Sequence, residues 1–178
     1  MIRNINGLEY ELIYKKVKNI NLRISDGSVK VSAPRGTSAA YIDDFVASRS
    51  HIVSKALARE ALRTVLPRPD ISSAEAVRYF TDITRRIYPR FSHYAFPFPQ
   101  IKTRIMKRQW GNCRSTAGLI TYNKYLYGLP ERLIEFIAAH ELSHMVYADH
   151  SPRFYALMDE IMPDHRARRT ELSEYTIK

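Results

Sequence analysis

Two histidines and a glutamate have the spacing that metal-assisted hydrolysis requires. His140 and His144 are four residues apart, so on a helix they stand one turn apart on the same face and can share one ion. Glu141 directly follows the first histidine, which angles its carboxylate towards a water on that ion rather than towards the ion itself. The stretch predicts a zinc site with Glu141 as the catalytic base.

The source of a third ligand stays open between a loop histidine and a carboxylate. His150 lies six residues after the second histidine, just before a Ser-Pro pair that is typical of a helix start. It would therefore sit in a short loop that can fold back on the metal. Asp159 or Glu160 on the next helix is the alternative. We favour His150, because neutral imidazole is a common zinc ligand and the loop is short.

The helix that carries this motif is predicted to be buried. Between residues 130 and 147, apolar side chains lie nearly all round the helix. They are Leu133, Ile134, Phe136, Ile137, Ala138, Ala139, Leu142, Met145 and Val146. An unpaired glutamate and two histidines are costly in such surroundings, whereas a dication satisfies all three. This pattern favours one bound Zn²⁺ per chain.

Three segments share a pattern with a known family. They are residues 109–113 (QWGNC), residues 140–150 and residues 151–155 (SPRFY). Together they resemble the Trp-Gly-Ser-Cys and His-Glu-Leu-x-His…His-Ser-Pro-x-Phe pattern of the YgjP-like metallopeptidases, small bacterial zincins related to the SprT-like group. Residues 22–36 resemble the amino-terminal hairpin of that family. Asn112 stands where serine is usual, and Tyr155 stands where tryptophan is frequent.

The resemblance implies a role for each residue of the cluster. His140, His144 and His150 would be the metal ligands, Glu141 would be the base, and the substrate would be a polypeptide. In the mechanism that the residues suggest, Glu141 takes a proton from the attacking water and later protonates the leaving amine. The reaction also needs a donor that stabilises the oxyanion. The sequence offers Tyr147, Tyr155 and Arg108 for this role and does not distinguish among them.

Hydrophobic patterning predicts an α+β fold with a zincin-like catalytic core. Strands are expected at 8–17, 22–24 and 29–31, with an Asp26-Gly27 turn between the last two. A helix capped by Thr37 or Ser38 continues irregularly to Leu66, and a second spans residues 73–88. Further strands are expected at 101–106 and 119–122, around a 110–118 connection. The predicted regions are an amino-terminal hairpin and helical region, 1–66, and a metallohydrolase core, 67–178, which contains the buried metal-binding helix.

Strand 119–122 has two interpretations. It could be an edge strand beside the cleft, to which a peptide substrate adds through backbone hydrogen bonds. It is equally compatible with an ordinary interior strand.

Composition favours a compact intracellular enzyme. The chain has 178 residues, of which 45% are hydrophobic, and its only cysteine, Cys113, excludes an intrachain disulfide. It lacks an apolar signal core at its start and any run of roughly 18 apolar residues, so we expect a cytoplasmic protein without membrane contact. Cys113 itself is expected to be a small core residue, with a redox-sensitive thiol and a metal ligand as alternatives.

A basic strip runs through residues 100–130. The net charge is +10, and this strip contains no acid while aromatic residues alternate with its cations. Its members are Lys102, Arg104, Lys107, Arg108, Arg114 and Lys124, with Trp110, Tyr122, Tyr125 and Tyr127. It could bind nucleic acid or another polyanion, favour acidic peptides, or act only as a solvated face. Two functions therefore stand beside the peptidase: a metal-dependent phosphoanhydride or nucleotide hydrolase, and a nucleic-acid-binding module with a structural metal.

Overall fold

A computed structural model describes residues 1–25 and 27–177, which fold as two units, Met1–Arg63 and Thr64–Lys178. The predicted α+β class is confirmed. Asp26, half of the predicted turn, lies outside the described residues. Among the described residues, no helix is both long enough and apolar enough to cross a membrane.

The first unit is a four-stranded mixed sheet with two helices. Its elements are β1 (Ile2–Ile5), β2 (Leu8–Lys15), β3 (Asn21–Ser25), β4 (Ser28–Pro34), α1 (Ala39–Ala47) and α2 (Ser50–Ala61). The strand order is β1-β2-β4-β3, with β2 and β4 parallel and the other pairs antiparallel. Sequence reasoning missed β1, although Asn6 and Gly7 form its turn with φ of 53° and 79°. An Asn-Gly pair is a strong hairpin signal that would have found it.

The first predicted helix is broken in the structure. Ser38 caps α1, and its hydroxyl accepts from the amide of Tyr41. Helix α1 stops where the Ser48 hydroxyl and the Arg49 guanidinium both donate to the carbonyl of Phe45, at 2.9 and 3.1 Å. Because these side chains satisfy a carbonyl at the helix end, the chain can turn before α2. The prediction of one helix reaching Leu66 was therefore wrong.

The second unit contains the remaining elements. They are β5 (Thr64–Val65), α3 (Ser73–Ile87), β6 (Gln100–Arg104), β7 (Gly111–Arg114), β8 (Leu119–Asn123), α4 (Glu131–Ser143), α5 (Pro152–Ile161), α6 (His165–Leu172) and β9 (Tyr175–Thr176). Helix α3 confirms the predicted second helix, and Ser72 and Glu75 form a capping box at its start. Strands β5 and β9 pair in parallel.

A three-stranded sheet with the order β6-β8-β7 supports the site. Strand β8 lies in the middle, so the interpretation of residues 119–122 as a free edge was wrong and the interior-strand interpretation was right. The edge beside the site is β7, within the segment predicted as a connection. Its sequence, GNCR, lacks the β-branched alternation that indicates a strand. Pairing with β8, from Gly111 opposite Tyr122 to Arg114 opposite Leu119, makes it one.

Helix α4 is buried, as predicted, but it ends at Ser143 rather than Tyr147. Nine of its residues are buried, including Glu141. After Ser143 the backbone tightens, since the amide of Met145 donates to the carbonyl of Leu142, three residues back. The loop that follows ends at Ser151, the N-cap position of α5, and Pro152 is the first residue of that helix.

Candidate functional site

Three histidines converge at the end of α4. His140 lies in its last turn, His144 is its C-cap, and His150 lies in the loop before α5. The amide of His144 still donates to the carbonyl of His140, which keeps the two side chains on one face. One ligand atom from each histidine lies within 4.8 Å of the others. Nε2 of His140 and Nε2 of His150 are 3.1 Å apart.

A backbone hydrogen bond and an aromatic side chain orient the imidazole rings. Nδ1 of His144 lies 3.0 Å from the carbonyl oxygen of Tyr147. Because a carbonyl only accepts, Nδ1 must carry the proton, which leaves the lone pair on Nε2. The buried ring of Phe154, from α5, packs against all three imidazoles, with centroid distances of 5.0, 4.6 and 4.8 Å for His140, His144 and His150. The ring of Phe154 thus packs His150, which lies in the loop, close to the two histidines of α4.

The surroundings favour the neutral form of His140 and His144. Burial lowers the pKa of His140 to about 3, and the neighbouring His144 and His150 lower it further. Burial likewise lowers the pKa of His144. Neutral imidazole is the form that ligates a metal, so this site favours a cation over protons.

Glu141 is buried against a glycine. Its side chain is only 5% exposed, and burial raises its pKa to about 8. A Cβ atom placed on Gly111 would lie 2.5 Å from Oε1 of Glu141 and 2.9 Å from its Cγ. Only glycine leaves room for the carboxylate here. The motif placed Gly111 near the site, but nothing in the sequence indicated this contact.

The alternative ligands are engaged elsewhere. Asp159 accepts from His165 at 3.0 Å and from Arg166 at 2.6 Å. Glu160 accepts from the hydroxyl of Tyr94 at 3.1 Å. Among the described residues, the histidines are the one cluster of three or more potential ligands that could hold a metal.

Two cavities meet at the histidines. The narrow cavity, of about 310 Å³, extends along β7 and is lined by polar residues such as Asn112 and Ser115. The wide cavity, of about 570 Å³, extends towards α5 and α6. Both are lined by Gln109, Gly111, His140, Glu141 and His150. Both cavities therefore open at the histidine cluster.

The residues without an assigned role have distinct positions. Cys113 is half-buried, with its Sγ 3.5 Å from Sδ of Met145, and burial followed by the charge of Glu141 raises its pKa to about 12. It is a packed thiol rather than a thiolate. Tyr155 and Arg108 line the wide cavity, whereas Tyr147 contributes its carbonyl to His144.

Half of the aromatic residues of the basic strip are unavailable for stacking. Tyr122 and Tyr125 are buried in the core, where the hydroxyl of Tyr122 hydrogen-bonds to Thr84. Tyr127 is exposed and packs edge to face against Tyr79, and Trp110 is half-buried in the lining of the wide cavity. Because bases stack on exposed aromatic faces, the interleaving seen in the sequence does not produce a continuous row of stacking residues, and nucleic-acid binding is not supported.

Most of the chain matches the model of a known protein family. The model of a family described as YgjP-like, metallopeptidase domain, matches residues 18–82 and 70–175. The chain is similar to the metallopeptidase zymogen of Pyrococcus abyssi abylysin, with a TM-score of 0.46 and 19% identity over 56% of this chain and 99% of that chain. For the metallopeptidase zymogen of Methanocaldococcus jannaschii jannalysin the values are 0.45 and 18%, over 52% and 92%. No curated protein matches.

Proposed function

Because the chain belongs to the YgjP-like metallopeptidase family, we propose that it cleaves polypeptides with zinc held by His140, His144 and His150 and with Glu141 as the base. The observation that carries this proposal is the convergence of three imidazoles within 4.8 Å beside a buried carboxylate. The catalytic core corresponds to residues 67–178.

The donor set fits a zinc ion. Three neutral imidazoles are a known protein ligand set for catalytic zinc and leave a coordination position open. The 3.1 Å approach of the His140 and His150 nitrogens supports this fit, because an ion between the rings would satisfy both lone pairs. When bound, zinc supplies Lewis acidity, which acidifies water and polarises a carbonyl.

The proposed work of Glu141 is proton transfer. Its carboxylate accepts the proton of the attacking water, and the same oxygen returns that proton to the leaving nitrogen as the peptide C–N bond breaks. A pKa raised to about 8 by burial suits this work, because the group can both take and give a proton near neutral pH. Gly111 leaves the space on β7 that this carboxylate occupies.

Strand β7 is the proposed guide for the substrate. It is one of the two edge strands of the three-stranded sheet, and its residues Gly111, Asn112 and Cys113 line the narrow cavity. A peptide added to this edge would extend the sheet through backbone hydrogen bonds and pass the histidines. The comparisons lend no support to a phosphoanhydride hydrolase or to a nucleic-acid-binding module.

Two measurements test the proposal. Bound metal per chain should be about one zinc in the parent and much less in His150→Ala, whereas Asp159→Asn and Glu160→Gln should keep it. Glu141→Gln should retain zinc and lose roughly 10²- to 10⁴-fold in peptide hydrolysis. Equal zinc in parent and His150→Ala would remove the third ligand, and undiminished hydrolysis by Glu141→Gln would refute the base.

A further inference from the structure

The wide cavity is lined by buried apolar side chains and by two arginines as well as by the proposed metal site. Phe136, Ile137 and Met158 are buried in its wall, and Tyr155 is half-buried beside them. Arg108 and Arg169, both exposed, also line it. Glu141, assigned to proton transfer, is the only acid among the lining residues.

Arg169 differs from the other basic residues of α6. His165 and Arg166 contact Asp159, and Arg168 contacts Asp164 at 2.8 Å and Glu135 at 3.1 Å. Among the described residues, no carboxylate pairs with Arg169.

The second arginine of the wide cavity, Arg108, resembles Arg169 in this respect. It is exposed, lies in the segment before β7, and has no carboxylate partner among the described residues. Binding pockets are mostly apolar and use a few polar or charged groups to orient a ligand. Two guanidiniums without a carboxylate partner among the described residues offer planar donors that match a carboxylate, which gains charge-assisted hydrogen bonds there.

We propose that the wide cavity binds a carboxylate-bearing residue of the peptide substrate, with its apolar part against Phe136 and Met158 and its carboxylate between Arg108 and Arg169. The inference rests on the proposed peptidase function, because it names the substrate class of that site. The carboxylate has two sources, an acidic side chain or the free carboxyl terminus of a peptide. The first gives cleavage beside acidic residues and the second gives removal of carboxy-terminal residues.

Binding can be measured without turnover. Trp110 lines the wide cavity and is the only tryptophan in the chain, so its fluorescence reports occupancy of this cavity. The protein is the full-length Glu141→Gln variant loaded with zinc. The probes are three N-acetylated pentapeptides: one with a central glutamate and an amidated end, one with a central glutamine and an amidated end, and one with a central glutamine and a free carboxyl end.

At least one of the two carboxylate peptides should bind about tenfold more tightly than the neutral peptide. Whichever does so identifies the source of the carboxylate. Arg108→Gln and Arg169→Gln should each reduce that gain, while Lys107→Gln, which removes a neighbouring charge outside the cavity lining, should leave it unchanged. Arg169→Glu should turn the preference towards a peptide with a central lysine.

Equal binding of all three peptides would overturn the inference. So would a gain that survives removal of both guanidiniums, because the carboxylate would then be bound by the zinc alone. Failure of the wild-type protein to hydrolyse any peptide would instead count against the proposed function, which this binding difference does not measure.

Discussion

Gly111 and Glu141 approach so closely that a single methyl group on the glycine would lie 2.5 Å from Oε1 of the glutamate. Strand β7 and helix α4 are thus closely packed at the carboxylate of Glu141, the group proposed to transfer the proton. Real Cβ atoms essentially never approach a neighbour this closely, so a side chain at position 111 must displace the carboxylate.

We therefore expect Gly111→Ala to lower kcat by about a hundredfold while zinc content stays near one per chain, since a misplacement of about 1 Å at a reacting group costs this much. Gly128→Ala is the matched control, because the nearest atom to its Cβ would be Cδ2 of Leu66 at an ordinary 3.7 Å. Steady-state kinetics and metal analysis check both variants. Full activity in Gly111→Ala would mean that the carboxylate position is not critical.

Zinc should also stabilise the fold. The three histidines lie on α4 and on the loop before α5, so an ion shared by them ties two segments of the folded chain together. At a free zinc concentration of about one hundred times Kd, binding adds about 2.7 kcal/mol to the free energy of unfolding.

Chelation with EDTA should therefore lower the Tm of the parent and leave the Tm of His150→Ala unchanged in a thermal melt. His93→Ala, at an exposed loop histidine, should respond to EDTA as the parent does. A parent whose Tm ignores EDTA would argue against a tightly held ion.

Asn123 should be a strong determinant of stability. Its side chain is fully buried; Nδ2 donates to the carbonyls of Met106 and Gln109, both at 2.8 Å, and Oδ1 accepts from the amide of Met106 at 3.2 Å. These bonds hold the segment that brings Gln109 and Trp110 to the site.

Asn123→Ala would leave several backbone groups unpaired, and each costs about 1–3 kcal/mol. We expect a loss of about 2–4 kcal/mol in the free energy of unfolding, measured with urea. The aspartate variant should be unstable as well, because a carboxylate cannot donate to the two carbonyls. Asn21→Ala, at an exposed asparagine, should change the free energy by less than about 0.5 kcal/mol.

The first unit should lose stability in acid through Asp43. Hydrogen bonds from Arg3 and then from Tyr10, the latter at 2.6 Å, hold the pKa of Asp43 below its usual 3.8. A depressed folded-state pKa gives stability above the unfolded value, and that stability disappears as the pH falls through the folded value.

Asp43→Asn should therefore lower the urea midpoint of unfolding at pH 7, and the difference from the parent should shrink below about pH 4. Asp44→Asn is the control, because Asp44 is the exposed neighbour of Asp43 on the same helix. A difference that does not depend on pH would mean that shape rather than charge makes Asp43 important.

Local features could be predicted from the sequence where the residues that determine them lie in one short segment. The Ser72 and Glu75 box starts α3, and the residues predicted as its core stripe, Ala76, Phe80, Ile83 and Ile87, are all buried. The four-residue offset of His140 and His144 places both rings on one face, and the short loop allows His150 to reach them. The end of α4 was predicted four residues too late, because side-chain periodicity does not report where backbone bonds tighten.

The sequence by itself determined the convergence of the three histidines and the α+β class, because helix periodicity and short loops depend on neighbours in the chain. Tertiary structure alone decided that β7 is an edge strand, that Gly111 faces Glu141, and that Arg108 and Arg169 share one cavity. Each of these relationships joins residues at least 30 positions apart or depends on which strands pair. Such contacts form only when the whole core packs, so no local pattern of residues carries them.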